Sequence, residues 1–163
     1  MSDHLLINQD SGNTEYYTPM FILDAARLVL GEIDLDPASC KKANEIVQAK
    51  QFYTKEQDGL VQVWSGRIWM NHPFGRQSNT LWINKLLNSP LVTDWLCITF
   101  ACTSESWFQP LLHYPQCFLS PRTNYYDSNG KVKKGVTKGS VVTYSGRDIS
   151  LFRAAFKELG VVK

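Results

Sequence analysis

Residues 95–101 read Trp-Leu-Cys-Ile-Thr-Phe-Ala, a short apolar run with no polar–apolar alternation. A run of this length fits a strand, and a strand without alternation is buried on both faces. Arg67-Ile68-Trp69-Met70 reads the same way and stops abruptly at Asn71-His72-Pro73-Phe74-Gly75. Ile33-Asp34-Leu35, ending at Asp36-Pro37, and Cys117-Phe118-Leu119 read as shorter strands. Helical patterns lie between them. Thr18 is placed to cap a helix, Pro19 fits its first position, and Phe21, Ala25, Leu28 and Val29 form a stripe that Gly31 closes. Ser39 is expected to cap a helix to about Lys50, with Ala43, Ile46 and Val47 inward. A third helix is expected near 79–88, with Leu81, Trp82, Lys85 and Leu86. Ser104 is expected to cap a short helix broken at Pro110. Asp148 is expected to cap a last one, with Leu151, Phe152, Ala155, Phe156 and Leu159 inward and Gly160 at its end. Residues 52–66, with Asp58-Gly59 and Ser65-Gly66, read as mostly loop.

Helices alternating with short apolar strands predict an α/β layered fold with a mostly parallel sheet and helices on both faces. Tyr125-Tyr126 and Val141-Val142-Thr143-Tyr144 are expected to pair around the Asn129-Gly130 turn, adding an antiparallel edge hairpin. The chain has 163 residues, no internal repeat and no low-complexity linker, so one domain is expected over 15–163, with a polar flexible arm over 1–14. An apolar fraction of 44% against 20% charged excludes a mainly disordered chain. No apolar run approaches the ~18–20 residues that span a bilayer. The start, Met1-Ser2-Asp3-His4, lacks a signal-peptide pattern, so a cytoplasmic protein is expected. Cys40, Cys97, Cys102 and Cys117 show no C-x-x-C spacing, and His4, His72 and His113 form no ligand-like cluster. That argues against a metal site and for reduced thiols.

Asn71-His72-Pro73-Phe74, set directly after a buried strand, suits a strand-end turn. It also resembles the Asn/Asp-Pro-Pro-Tyr/Phe motif of amino-group methyltransferases. The chemistry explains those residue types. The exocyclic amine of adenine is a poor nucleophile because its lone pair is delocalised into the ring. Two acceptors on its N–H groups draw the nitrogen towards a tetrahedral shape. The Asn71 side-chain oxygen and the His72 backbone carbonyl would be those acceptors, and Phe74 would stack on the extruded base. The second motif position is His72 in place of Pro. That keeps the carbonyl and loses a ring that restrains Asn71, while Pro73 still restrains His72.

Tyr17-Thr18-Pro19, Asp34-Leu35-Asp36-Pro37-Ala38-Ser39, Asp58-Gly59-Leu60 and Trp64-Ser65-Gly66-Arg67-Ile68-Trp69-Met70-Asn71 occur in one order. Ser106-Trp107-Phe108, Arg122 and Gly139-Ser140-Val141-Val142 follow. As an ordered set, over about residues 15–160, they are similar to the small N6-adenine DNA methyltransferases often encoded by phages. The resemblance implies a class I, Rossmann-like methyltransferase that uses S-adenosylmethionine and acts on DNA. It implies that Asp36-Pro37-Ala38 form the cofactor-facing turn, with Asp36 towards the methionine ammonium, and that Tyr17, Thr18 and Pro19 line the same pocket. For Asp36, a plain helix-start role before Pro37 is the alternative. Two family features are missing: a glycine-rich turn after Ile33-Asp34-Leu35, and a clear acid for the ribose, for which Asp58 is the candidate.

Net charge is only +2, so the whole-molecule charge declares no polyanionic partner. Local charge does more. Lys131, Lys133, Lys134 and Lys138 cluster beside Arg122, Tyr125 and Tyr126, either to face phosphates or to protect a solvated hairpin tip. Arg76 follows the tetrapeptide and is a candidate phosphate contact, while Trp107 suits either the base or the core. The chain is short for a separate target-recognition domain, so low sequence selectivity is expected, unless loops or a second subunit supply more. Two other functions fit the same residues: methyl transfer to another planar nitrogen (an RNA base or a protein glutamine), and a catalytically silent nucleic-acid-binding protein.

Overall fold

The computed structural model describes residues 16–163; the arm expected over 1–14 lies outside the described residues. Seven strands form one sheet: β1 (Leu35–Asp36), β2 (Gln51–Phe52), β3 (Ser65–Met70), β4 (Leu91–Phe100), β5 (Gln116–Leu119), β6 (Ser140–Ser145) and β7 (Gly160–Val162). Their spatial order is β2-β1-β3-β4-β6-β5-β7. The pairs β2–β1, β1–β3 and β3–β4 are parallel, with Leu35 opposite Ile68 and Met70 opposite Cys97. The pairs β4–β6, β6–β5 and β5–β7 are antiparallel. The fold is thus mixed α/β and Rossmann-like, parallel from β2 to β4 and antiparallel from β4 to β7.

Four helices cover the sheet: α1 (Met20–Leu30), α2 (Lys41–Val47), α3 (Arg76–Leu87) and α4 (Ile149–Phe156). On one face Ile22, Leu23 and Val29 of α1 and Phe152 and Phe156 of α4 pack with Trp69, Leu96, Ile98 and Tyr144. On the other, Trp82, Ile83 and Leu86 of α3 join Trp107, Phe108 and Leu111 against Ile68, Met70, Trp95 and Cys97. Successive residues of β3 and β4 go to opposite faces, as strand geometry demands. Both faces are apolar, so the run 95–101 shows no alternation. Among the described residues, no helix is long and apolar enough to cross a membrane.

Several local expectations are corrected. The first helix begins at Met20; Pro19, which has no side-chain acceptor, is its N-cap, and the Thr18 hydroxyl accepts from the Asn71 amide instead. Gly31 does close it, at φ 77°. Cys40, and not Ser39, caps α2, its Sγ accepting from the Ala43 N–H at 3.4 Å, and α2 stops at Val47. The expected loop 52–66 includes β2 at its start and a 3-10 turn at Gly59–Val61. Helix α3 starts at Arg76, and its Leu81 is exposed. Ser104 caps nothing; a 3-10 turn spans Gln109–His113 with Pro110 near its start, where a missing N–H is harmless. Tyr125-Tyr126 do not pair with residues 141–144. Tyr126 bridges to Tyr17 and Val132, and β6 inserts between β4 and β5, where residues 140–144 are buried. Asp148 caps α4, its Oδ1 accepting from the Leu151 N–H at 2.8 Å, but Leu151 itself is exposed. Gly160 opens β7, where Gly160 stands opposite Leu119; a Cβ on Gly160 would lie 2.0 Å from the Phe118 carbonyl oxygen.

Candidate active site

The chain runs from β1 outwards to β2, then returns to lay β3 on the other side of β1. Strand order therefore reverses between β1 and β3. In an open parallel sheet the crevice beyond the carboxyl ends of such strands is the favoured ligand site. A cavity of about 370 Å³ opens there, lined by residues 16–18, 36–40, 53–55, 58–59 and 71–74 together with Trp69, Ser78 and Trp82. Its size is that of a small-molecule site.

Asn71 stands at the first position after β3. Its Nδ2 donates to the Tyr16 carbonyl at 2.5 Å and to the Thr18 Oγ1 at 3.0 Å. Both amide protons are then committed, and Oδ1 is the half of the carboxamide with acceptor capacity to offer. His72 is 1% exposed. Its Nε2 donates to the Asn79 Oδ1 at 2.7 Å. Burial lowers its pKa to about 4 against the pull of that hydrogen bond, so the ring is neutral at pH 7. Its Nδ1 lone pair is buried with no hydrogen-bond partner among the described residues, as is the Trp69 Nε1–H. The ring at the second position of the tetrapeptide is thus fastened to α3 by its side chain.

Asp36 ends β1 and is 2% exposed. Burial raises its pKa to about 7, while bonds from the Ala38 N–H and the Ser39 hydroxyl pull the other way. None of the ion pairs among the described residues involves it. Pro37 and Ala38 continue the turn, and Gly59 presses against it: a Cβ there would stand 2.0 Å from the Pro37 carbonyl oxygen. Only glycine allows this approach. Asp58, exposed on the cavity wall, uses Oδ1 to accept from the Leu60 N–H at 3.1 Å.

Phe74 is 3% exposed and sits in an aromatic cluster. Ring centroids lie 4.6 Å away for Phe100, 5.3 Å for Tyr16 and 5.9 Å for Tyr125. Lys133 Nζ lies 3.7 Å from the centroid of the Tyr16 ring, and Lys138 Nζ 5.8 Å from that of Phe100. The lysine segment therefore borders the Phe74 side of the cavity. Lys131, Lys134, Arg122 and Arg76 are exposed and outside the cavity lining. Trp107 is buried against Phe108 in the cluster under α3, outside the cavity lining, so its place is the core.

The fold thus brings Tyr17, Thr18, Asp36, Pro37, Ala38 and Asp58 into one cavity with Asn71, His72, Pro73 and Phe74; Pro19 stays at the head of α1, outside the lining. No motif marks Tyr16, Tyr53 or Trp82 as lining residues. For Trp82 a signal existed: it stands on the helix that follows the tetrapeptide, and it stacks on Trp64 at 5.8 Å.

No curated protein matches the sequence. A family model described as DNA N-6-adenine-methyltransferase (Dam) matches residues 8–142, which takes in every strand from β1 to β5, the whole cavity lining and the lysine segment. With most of its length so matched, and with the motif residues gathered at the switch point of a Rossmann-like sheet, the chain belongs to the DNA N-6-adenine-methyltransferase (Dam) family.

Proposed function

We propose that the protein transfers a methyl group from S-adenosylmethionine to the N6 amine of adenine in DNA. The observation that carries this reading is the meeting of Asp36 and Asn71 at the carboxyl ends of adjacent parallel strands, in one cavity. Asp36 is a buried carboxylate outside every ion pair among the described residues. Such a group suits a ligand ammonium, which compensates the desolvation that raises its pKa. Pro37 and Ala38 would support the same ligand, and Asp58 is placed for hydroxyl groups at the cavity wall. When bound, the cofactor supplies an electrophilic sulfonium methyl.

The residues of the turn do the rest. Asn71 Oδ1 and the His72 carbonyl accept the two N–H bonds of the adenine amine and localise its lone pair. No strong base is needed, since the amine turns acidic as its nitrogen acquires the methyl, and its proton then passes from an acceptor to water. Neutral His72 serves here through its carbonyl and its anchor to Asn79. Phe74, with Tyr16 beside it, provides an aromatic wall for the base. The exposed Arg76, Arg122, Lys131 and Lys134, with Lys133 and Lys138 nearer the cavity, would hold the phosphates. The cytoplasm, where unpackaged DNA is within reach, is the proposed setting.

The test is transfer of labelled methyl from S-adenosylmethionine to unmodified DNA, RNA and protein, followed by nucleoside and amino-acid analysis. N6-methyladenine from DNA is the expected product. Label in RNA or glutamine instead, or cofactor binding without transfer, would replace this reading. Asn71→Ala should abolish transfer and leave cofactor binding nearly intact; full activity in that variant would show that the site is elsewhere.

A further inference from the structure

We propose that Thr18 is a positioning residue that, together with the Tyr16 carbonyl, holds the Asn71 carboxamide with its oxygen towards the substrate amine. This rests on the methyltransferase reading and deepens it. A carboxamide is nearly symmetric in shape, yet its two ends do opposite work. Oδ1 accepts from an amine, whereas NH₂ turned to the same place would repel it. The tetrapeptide alone does not choose between them. The choice is made by segment 16–18, where the Tyr16 carbonyl and the Thr18 hydroxyl oxygen take both Nδ2 protons, at 2.5 and 3.0 Å. Turning the amide over would lose the bond to the Tyr16 carbonyl and set Oδ1 against that oxygen, while the Thr18 hydroxyl, fixed beside it, holds the carboxamide in the plane where the Tyr16 carbonyl decides its sense. Thr18 is 5% exposed, so water is poorly placed to replace its hydroxyl.

Segment 16–18 is itself held. The Tyr17 N–H donates to the Tyr126 carbonyl at 2.9 Å, and the Tyr126 N–H returns a bond to the Tyr17 carbonyl at 3.0 Å. The Lys133 N–H donates to the Tyr125 carbonyl at 2.8 Å, and its ammonium lies over the Tyr16 ring. A strap clasped in this way keeps its acceptors in place.

Thr18→Val keeps the shape and removes the hydroxyl, while Thr18→Ser keeps the hydroxyl. Steady-state methylation of DNA, cofactor titration and thermal midpoint would be measured for the wild type, for both variants and for Thr18→Ala. The expected result for Thr18→Val and Thr18→Ala is a kcat lower by roughly 10- to 100-fold, the scale of a misplaced catalytic group. The cofactor dissociation constant and the KM for DNA should stay within about twofold, and Thr18→Ser should recover most of the turnover. A wild-type kcat in Thr18→Val or Thr18→Ala would overturn the inference. So would a Thr18→Ser loss equal to that of valine, or a defect confined to cofactor binding. The wild type separates the two claims: if it does not methylate adenine, the functional reading fails, whereas an active wild type with an equally active valine variant sinks only the role of Thr18.

Discussion

Asp36 and His72 give the cavity opposite responses to pH. Asp36 has a folded pKa of about 7 against the usual 3.8, so between those values the folded state holds a proton that the unfolded chain has released. Stability of the ligand-free protein therefore falls as pH rises from about 4 to about 7. Asp36→Asn removes that dependence and should raise the thermal midpoint at pH 8 while changing it little at pH 4. A ligand ammonium restores the ionised carboxylate, so cofactor should bind up to roughly tenfold more tightly at pH 8 than at pH 6, with proton release. Calorimetry in buffers of different ionisation enthalpy reads this directly, and a pH-independent affinity would count against Asp36 as the ammonium contact. His72 works on the acid side. Its folded pKa is about 4 against 6.5, so protonation favours the unfolded chain and stability is lost as pH falls from about 6.5 to about 4. Acid titrations of His72→Gln, followed by circular dichroism, should show a weaker decline across that window.

Among the elements, the turn after β1 depends on the close packing of the loop that carries Gly59. Gly59→Ala would drive a methyl into the Pro37 carbonyl, a backbone atom that cannot move aside cheaply. The expected cost is about 1–3 kcal/mol, as for other overpacked sites, with weaker cofactor binding through a displaced Asp36-Pro37 turn; thermal denaturation and cofactor titration would measure both. Elements with strong local signals were legible in the sequence. The unbroken run in β4, the Asp148 cap and the Gly31 stop each depend on near neighbours. The cap of α2 was not, because a thiol sulfur is a weak acceptor that no capping pattern singles out. Strand β7 was hidden because two valines after a glycine carry little periodicity; only β5 beside them makes them a strand. The partner of Tyr126 was hidden for a different reason: it is Tyr17, near the other end of the chain, and no local pattern records a contact so distant.

The charge of the whole molecule is nearly balanced, and placement decides what it does. Lys131, Lys133, Lys134 and Lys138 lie on the segment that adjoins Tyr16 and Phe100, beside the aromatic wall of the cavity. Lys131→Ala with Lys134→Ala should weaken binding to DNA of any sequence and reduce the slope of log affinity against log salt by roughly one per lysine that contacts a phosphate. Cofactor affinity should not change; filter binding at several salt concentrations checks the first point, and an unaltered slope would remove these lysines from the DNA surface. The two motif-bearing walls of the site were readable because each is contiguous in sequence. The strap over Asn71 was not, since a backbone carbonyl at Tyr16 has no sequence signature. The pairing of Tyr17 with Tyr126 has a bearing on biosynthesis. A nascent polypeptide halted short of residue 126 already contains the tetrapeptide and its acidic companion, yet the clasp for the strap has still to leave the ribosome. On the proposed reading, full activity would therefore be acquired late in translation, and products truncated before residue 126 would carry the signature residues without the clasp on segment 16–18.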